Sequence, residues 1–65
     1  MKILVNGVEQ DVGAETLASA LERLDYGDTK VATALNGDFV PARKRAETTL
    51  RDGDRIEIVS PRQGG

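Results

Sequence analysis

Apolar positions along this chain repeat every second residue near both ends and every three to four residues between them, the periods of strand and helix. Met1 to Val5, rich in branched residues and holding the apolar run Ile3-Leu4-Val5, predicts a strand. Asn6-Gly7 follows, a pair suited to a two-residue hairpin because both central positions of a type I′ turn need positive φ. Val8-Glu9-Gln10-Asp11-Val12 then predicts an alternating return strand, and Gly13 ends it. Next the period changes. Leu17, Leu21 and Leu24 stand four and three apart, with Ala18 and Ala20 beside them and Ser19, Glu22 and Arg23 toward water. Thr16 offers an N-cap hydroxyl and Gly27 a stop, so the pattern predicts a helix from Thr16 to about Asp25.

Lys30 to Leu35 is a third apolar segment, too short for a helix before Asn36-Gly37 marks a second hairpin turn. Phe39-Val40 predicts a brief strand halted by Pro41, and Ala42 to Thr49 is polar and irregular, with room for one short helical turn. Asp52-Gly53-Asp54 reads as a turn, and Arg55-Ile56-Glu57-Ile58-Val59 alternates as the last strand. Residues 60–65, SPRQGG, carry no packing side chain and predict a mobile, exposed tail on a domain spanning 1–59.

Five strands and one helix, with no internal repeat or linker, predict a single α+β domain whose helix covers one face of a mixed sheet. Strand alternation turns Ile3, Val5, Ile56 and Ile58 toward the Leu17/Leu21/Leu24 stripe. Leu4 and Val59 then fall on the opposite, helix-free face, joined by one phase of Val31 to Leu35. Such residues are either ordinary isolated surface apolars or a patch that a partner covers.

Composition narrows the chemistry. A chain of 65 residues has a marginal core, and with no cysteine it has neither a disulfide framework nor a thiolate metal site. It also lacks histidine, so the commonest general base and the best side-chain nucleophile are both missing, which argues against an enzyme that works alone. No GxxxxGK[ST] phosphate loop occurs, and Glu9/Asp11 and Glu22/Asp25 read as solvated faces rather than an acid–base pair. Nine Lys plus Arg against eleven Asp plus Glu leave a net charge of −2, which argues against broad binding of nucleic acid or anionic membrane. Neither a membrane helix nor a signal peptide is legible, so the expected location is the cytoplasm and the expected free state a monomer.

Two features remain. Arg43-Lys44-Arg45, with Arg51, Arg55 and Arg62, is a solvated cationic surface or a contact for an acidic partner; Arg62, three residues from the end, is placed to steer the tail toward an acidic channel mouth. Five of the seven glycines fall at predicted turns or element ends, but Gly64 and Gly65 do not. They are either a bare flexible terminus or a Cβ-free thread that enters a narrow tunnel and presents its carboxylate to another protein's active site.

The segments MKILVNG, ALNGDFVP and RDGDRIEIVSP and the final GG, in this order and over essentially the whole chain, resemble the ThiS family of sulfur carriers for thiamin thiazole formation. The wider ubiquitin-like β-grasp group, with the small subunit of molybdopterin synthase and ubiquitin itself, is similar in fold and in its diglycine end. What the resemblance implies is a β-grasp fold, a five-stranded mixed sheet with one main helix, and a reactive group at the main-chain carboxylate of Gly65. It implies activation by an E1-like adenylyltransferase, similar to ThiF or MoeB, which consumes ATP with Mg to make an acyl-adenylate. A sulfur donor fed by a cysteine desulfurase then displaces AMP to leave a thiocarboxylate, from which thiazole synthase (ThiG-like) takes the sulfur. The chain itself binds no cofactor in this scheme and is a co-substrate rather than a catalyst.

The resemblance further implies that the first and last strands pair, which makes Leu4 and Val59 neighbours in a docking patch at the root of the tail. Arg62 and Gln63 depart from the apolar residues that many diglycine carriers place before the glycines. The alternatives left open are delivery of sulfur to molybdopterin, tungstopterin or cysteine synthesis, and a ubiquitin-like tag or binding module.

Overall fold

Both Asn-Gly pairs make the turns that their chemistry predicts: φ is 52° at Asn6 and 84° at Gly7, and 52° at Asn36 and 90° at Gly37. The computed structural model describes residues 1–13, 15–27 and 30–60. Its elements are β1 (Lys2–Val5), β2 (Val8–Asp11), α1 (Leu17–Arg23), β3 (Ala32–Leu35), β4 (Asp38–Val40), a 3-10 helix (Ala42–Glu47) and β5 (Arg55–Val59). The two hairpins, β1–β2 and β3–β4, flank the last strand in a single sheet of order β2-β1-β5-β3-β4. β5 runs parallel to β1 and antiparallel to β3, so the sheet is mixed and its centre is the last strand to be made.

Helix α1 begins where the hydroxyl of Thr16 accepts from the N–H of Ser19 at 3.1 Å, while the Ser19 hydroxyl accepts from the Thr16 N–H at 3.4 Å. Each satisfies a backbone donor that the first helical turn leaves free. The helix stops earlier than its apolar spacing predicts, and the residue that stops it is Asp25 rather than Gly27. Asp25 adopts φ 74°, its N–H donates to Glu22 O at 3.1 Å, and the Tyr26 N–H donates to Leu21 O at 2.7 Å. That is the reversed closure of a Schellman cap, with aspartate in the left-handed position glycine usually takes, a conformation its short polar side chain tolerates.

One side of the sheet carries the core. Ile3, Val5, Ile56 and Ile58 are buried against Leu17 and Leu21, as alternation predicts, and Ala20, Val12, Val40 and Leu50 complete the cluster. Leu24 packs only at its edge. Leu50 lies outside any regular element and is carried inward by the segment after the 3-10 helix. There the Leu17 N–H donates to Thr48 O at 2.9 Å and the Leu50 N–H to Glu15 O at 3.0 Å. β2 departs from its predicted alternation: all four of its residues are exposed, because α1 covers the middle of the sheet and not this edge. Among the described residues no helix is long and apolar enough to cross a membrane.

Candidate functional site

Strand β5 joins the core to the segment that carries the diglycine. Ile56 and Ile58 are buried beneath α1, while Arg55, Glu57 and Val59 point to the other face and are exposed. Val59 is followed by Ser60, also exposed, and then by residues 61–65. The register places Val59 opposite Ala32, Glu57 opposite Ala34, and Ala34 opposite Phe39. These side chains, with Thr33, line an open depression of about 370 Å³. Phe39 is 69% exposed and Val59 59%, large apolar surfaces left in water on opposite sides of this depression, Val59 at the end of the central strand and Phe39 across β3 on β4. Covering a side chain of this kind is worth about 1.5–3 kcal/mol, so the patch favours a partner surface of matching shape.

This arrangement corrects one expectation. β1 and β5 do pair, but Leu4 stands opposite Arg55 and Val5 opposite Ile56. In a parallel pair Val59 therefore lies four residues further along, roughly 13 Å from the level of Leu4. Leu4 and Val59 share the helix-free face without being neighbours, and Leu4 is only half-exposed. The patch at the root of the tail is instead made by Val59 with Ala32, Ala34 and Phe39. Ala32 and Ala34 are one phase of the segment singled out in the sequence. Phe39 is the residue that sequence reasoning missed; its signal is the alternation Asp38-Phe39-Val40 after a two-residue turn, which sends Phe39 to the face opposite Val40.

The cationic run also divides. Arg43 and Lys44 are exposed, but Arg45 is half-buried: its Nε donates to Thr33 Oγ1 at 3.0 Å and its Nη2 to Val31 O at 2.6 Å. The buried Thr33 hydroxyl in turn donates to Val40 O at 2.8 Å. Arg45 thus ties the 3-10 helix to β3 rather than meeting a partner. Arg62, Gly64 and Gly65 lie outside the described residues. Among the described residues there is no group of three or more Asp, Glu, His or Cys side chains arranged to hold a metal ion.

A mixed sheet of five strands that grasps one helix, with its central strand running out toward a diglycine, defines a β-grasp domain of the ubiquitin-like kind. The comparisons narrow this class. The ThiS family model matches residues 3–65, and the chain belongs to that family. It is 33% identical to the sulfur carrier protein ThiS of Escherichia coli, with 100% of both chains covered. With ThiS of Thermus thermophilus it shares 32% identity over 97% of this chain and 98% of that one. A further match, 36% identical over 100% of this chain, is a thiazole synthase of Paramagnetospirillum magneticum, of which the chain spans only 20%. Among solved structures, the crystal structure of the thiamine biosynthesis protein ThiS from Geobacter metallireducens superposes with a TM-score of 0.82 at 32% identity, covering 100% of both chains.

Proposed function

We propose that this chain is a sulfur carrier of thiamin biosynthesis whose working group is the main-chain carboxylate of Gly65. At neutral pH a terminal carboxylate is an anion with a pKa of about 3.5, and a poor electrophile. Adenylation by an E1-like partner that consumes ATP with Mg turns it into an acyl-phosphate anhydride with a good leaving group. A persulfide fed by a cysteine desulfurase then displaces AMP to form an acyl disulfide. A second thiol attacks the donor's sulfur, takes it up as a disulfide and releases the thiocarboxylate, which passes its sulfur to a thiazole synthase. The nucleotide and its metal belong to the activating enzyme, which supplies the charges that stabilise the phosphates. The chain acts in the cytoplasm as a co-substrate regenerated after each transfer, not as a catalyst.

The observation that carries this reading is where the exposed patch stands. Val59 ends β5 and shares one depression with Ala32 and Ala34 of β3 and Phe39 of β4, so an enzyme that grips this patch holds the domain at a residue six positions from Gly65. Six residues reach at most about 22 Å, enough for two glycines without Cβ to enter a narrow tunnel and deliver the carboxylate. Arg62 lies on that path and is assigned to an acidic tunnel mouth. The match to a thiazole synthase supports thiazole formation, rather than molybdopterin, tungstopterin or cysteine synthesis, as the destination of the sulfur.

The test is intact-mass analysis after incubation with ATP-Mg, activating enzyme and a sulfur source. The chain should become about 16 Da heavier, the difference between a sulfur and an oxygen atom, and deletion of Gly65 should abolish the gain while leaving thermal unfolding unchanged. Lysine-linked adducts in place of that gain would identify a protein tag instead.

A further inference from the structure

Strand β1 ends one hydrogen-bonding step before β5 does. The groups of β5 that face β1 recur every second residue: Asp54 O accepts the Leu4 N–H at 2.9 Å and Ile56 O accepts the Asn6 N–H at 2.9 Å. The next pair belongs to Ile58, where β1 has already turned into its hairpin. The side chain of Asn6 takes its place. The Ile58 N–H donates to Asn6 Oδ1 at 2.8 Å, and Asn6 Nδ2 donates to Ile58 O at 3.0 Å, across 52 residues of sequence. A primary amide offers one face of donor and acceptor spaced like a peptide group, so Asn6 stands in for a strand residue that the hairpin cannot supply.

Asn36 does the corresponding work at the other end of β5. It accepts the Arg55 N–H on Oδ1 at 2.9 Å and donates through Nδ2 to Asp54 Oδ1 at 3.0 Å. Both asparagines thus serve twice, once as the left-handed residue of a turn and once as a clamp on the central strand. Their clamps differ in one respect: Asn36 grips where β5 begins, Asn6 one residue before Val59.

We propose that Asn6 is a positioning residue for the carrier tail: by holding both main-chain groups of Ile58 on the β1 side, while Val59 pairs with Ala32 on the β3 side, it fixes the end of β5 to which the tail is attached. This inference rests on the carrier reading above. A partner that grips the helix-free face then meets the root of the tail in a fixed place, and less freedom is lost when the acyl group and ATP are brought together.

Asn6→Gly and Asn36→Gly test it as a pair, because glycine keeps the positive φ of each turn and removes only the amide. In the free protein, Asn6→Gly should speed hydrogen exchange at the Ile58 amide by about tenfold or more and leave the Arg55 amide protected; Asn36→Gly should do the reverse. With the activating enzyme and ATP-Mg, pyrophosphate release should show kcat lowered on the order of tenfold for Asn6→Gly with KM little changed. At matched thermal stability Asn36→Gly should hold kcat within about twofold. Asn6→Asp, which keeps the turn but sets a carboxylate against Ile58 O, should follow Asn6→Gly and serves if that variant fails to fold. Equal kcat losses for the two glycine variants, or wild-type kcat in Asn6→Gly, would overturn the positioning role. A wild-type chain that is never adenylated would overturn the carrier reading instead, while the exchange pattern would still report whether the clamp exists.

Discussion

The two faces of the sheet are built from the same strands, yet they put their side chains to opposite uses. On β5 the odd and even residues part company: Ile56 and Ile58 disappear under α1, while Arg55, Glu57 and Val59 face outward. The covered face holds the buried cluster, and its surface is spent on stability. The open face keeps Phe39 and Val59 in water, where they add little to folding. Large apolar side chains grouped on a surface commonly mark a place where something binds, so the contrast separates what holds the domain together from what the domain offers to a partner.

The sharpest way to break this comparison is to hollow the covered face. Leu21→Ala removes a side chain that is 5% exposed between α1 and the sheet, and should destabilise the domain by about 2–5 kcal/mol in denaturant unfolding. For so small a protein that is a large share of the total stability. A loss below about 0.5 kcal/mol would mean that the helix does not carry the core.

A smaller effect should follow at the seam where the 3-10 helix meets β3. Arg45→Ala deletes both hydrogen bonds of the guanidinium and leaves Val31 O and the Thr33 hydroxyl with one partner fewer. About 1–3 kcal/mol is expected to be lost, whereas Lys44→Ala, one residue away and exposed, should change little. Equal effects at 44 and 45 would return Arg45 to the solvated surface.

The smallest change in stability belongs to the open face, and there the comparison is sharpened by binding. Phe39→Ala and Val59→Asp should shift unfolding by no more than about 0.5 kcal/mol, yet weaken the complex with the activating enzyme, measured by calorimetry, by on the order of tenfold. Leu4→Asp should weaken it less, because Leu4 lies opposite Arg55 and away from the patch. If all three leave affinity unchanged, the docking surface is elsewhere.

Much of this is legible without any coordinates. Asn-Gly dictates its turn through the φ values of two adjacent residues, Thr16 caps through an oxygen three residues from its donor, and Arg55 to Val59 shows its buried and open sides in its own alternation. The end of α1 is harder to read because glycine is the usual left-handed residue, and Asp25, two positions before Gly27, occupies that conformation instead. Leu50 is hidden because no periodicity surrounds it, and Phe39 is easily passed over because its three-residue strand shows the alternation only once. The residues expected to act, Arg62, Gly64 and Gly65, lie outside the described residues and rest on the sequence and the family.

By itself the amino-acid order determined the elements, the inward set of branched residues and the diglycine, since each depends on neighbours within a few positions along the chain. Only the tertiary structure decided which residues meet across β5: that Val59 faces Ala32 and not Leu4, that Arg45 turns inward, and that Asn6 closes on Ile58. Strand order and register are set when segments as much as 52 residues apart find one shared core, and a shift of one position would exchange every buried side chain for an exposed one. No local pattern carries that information.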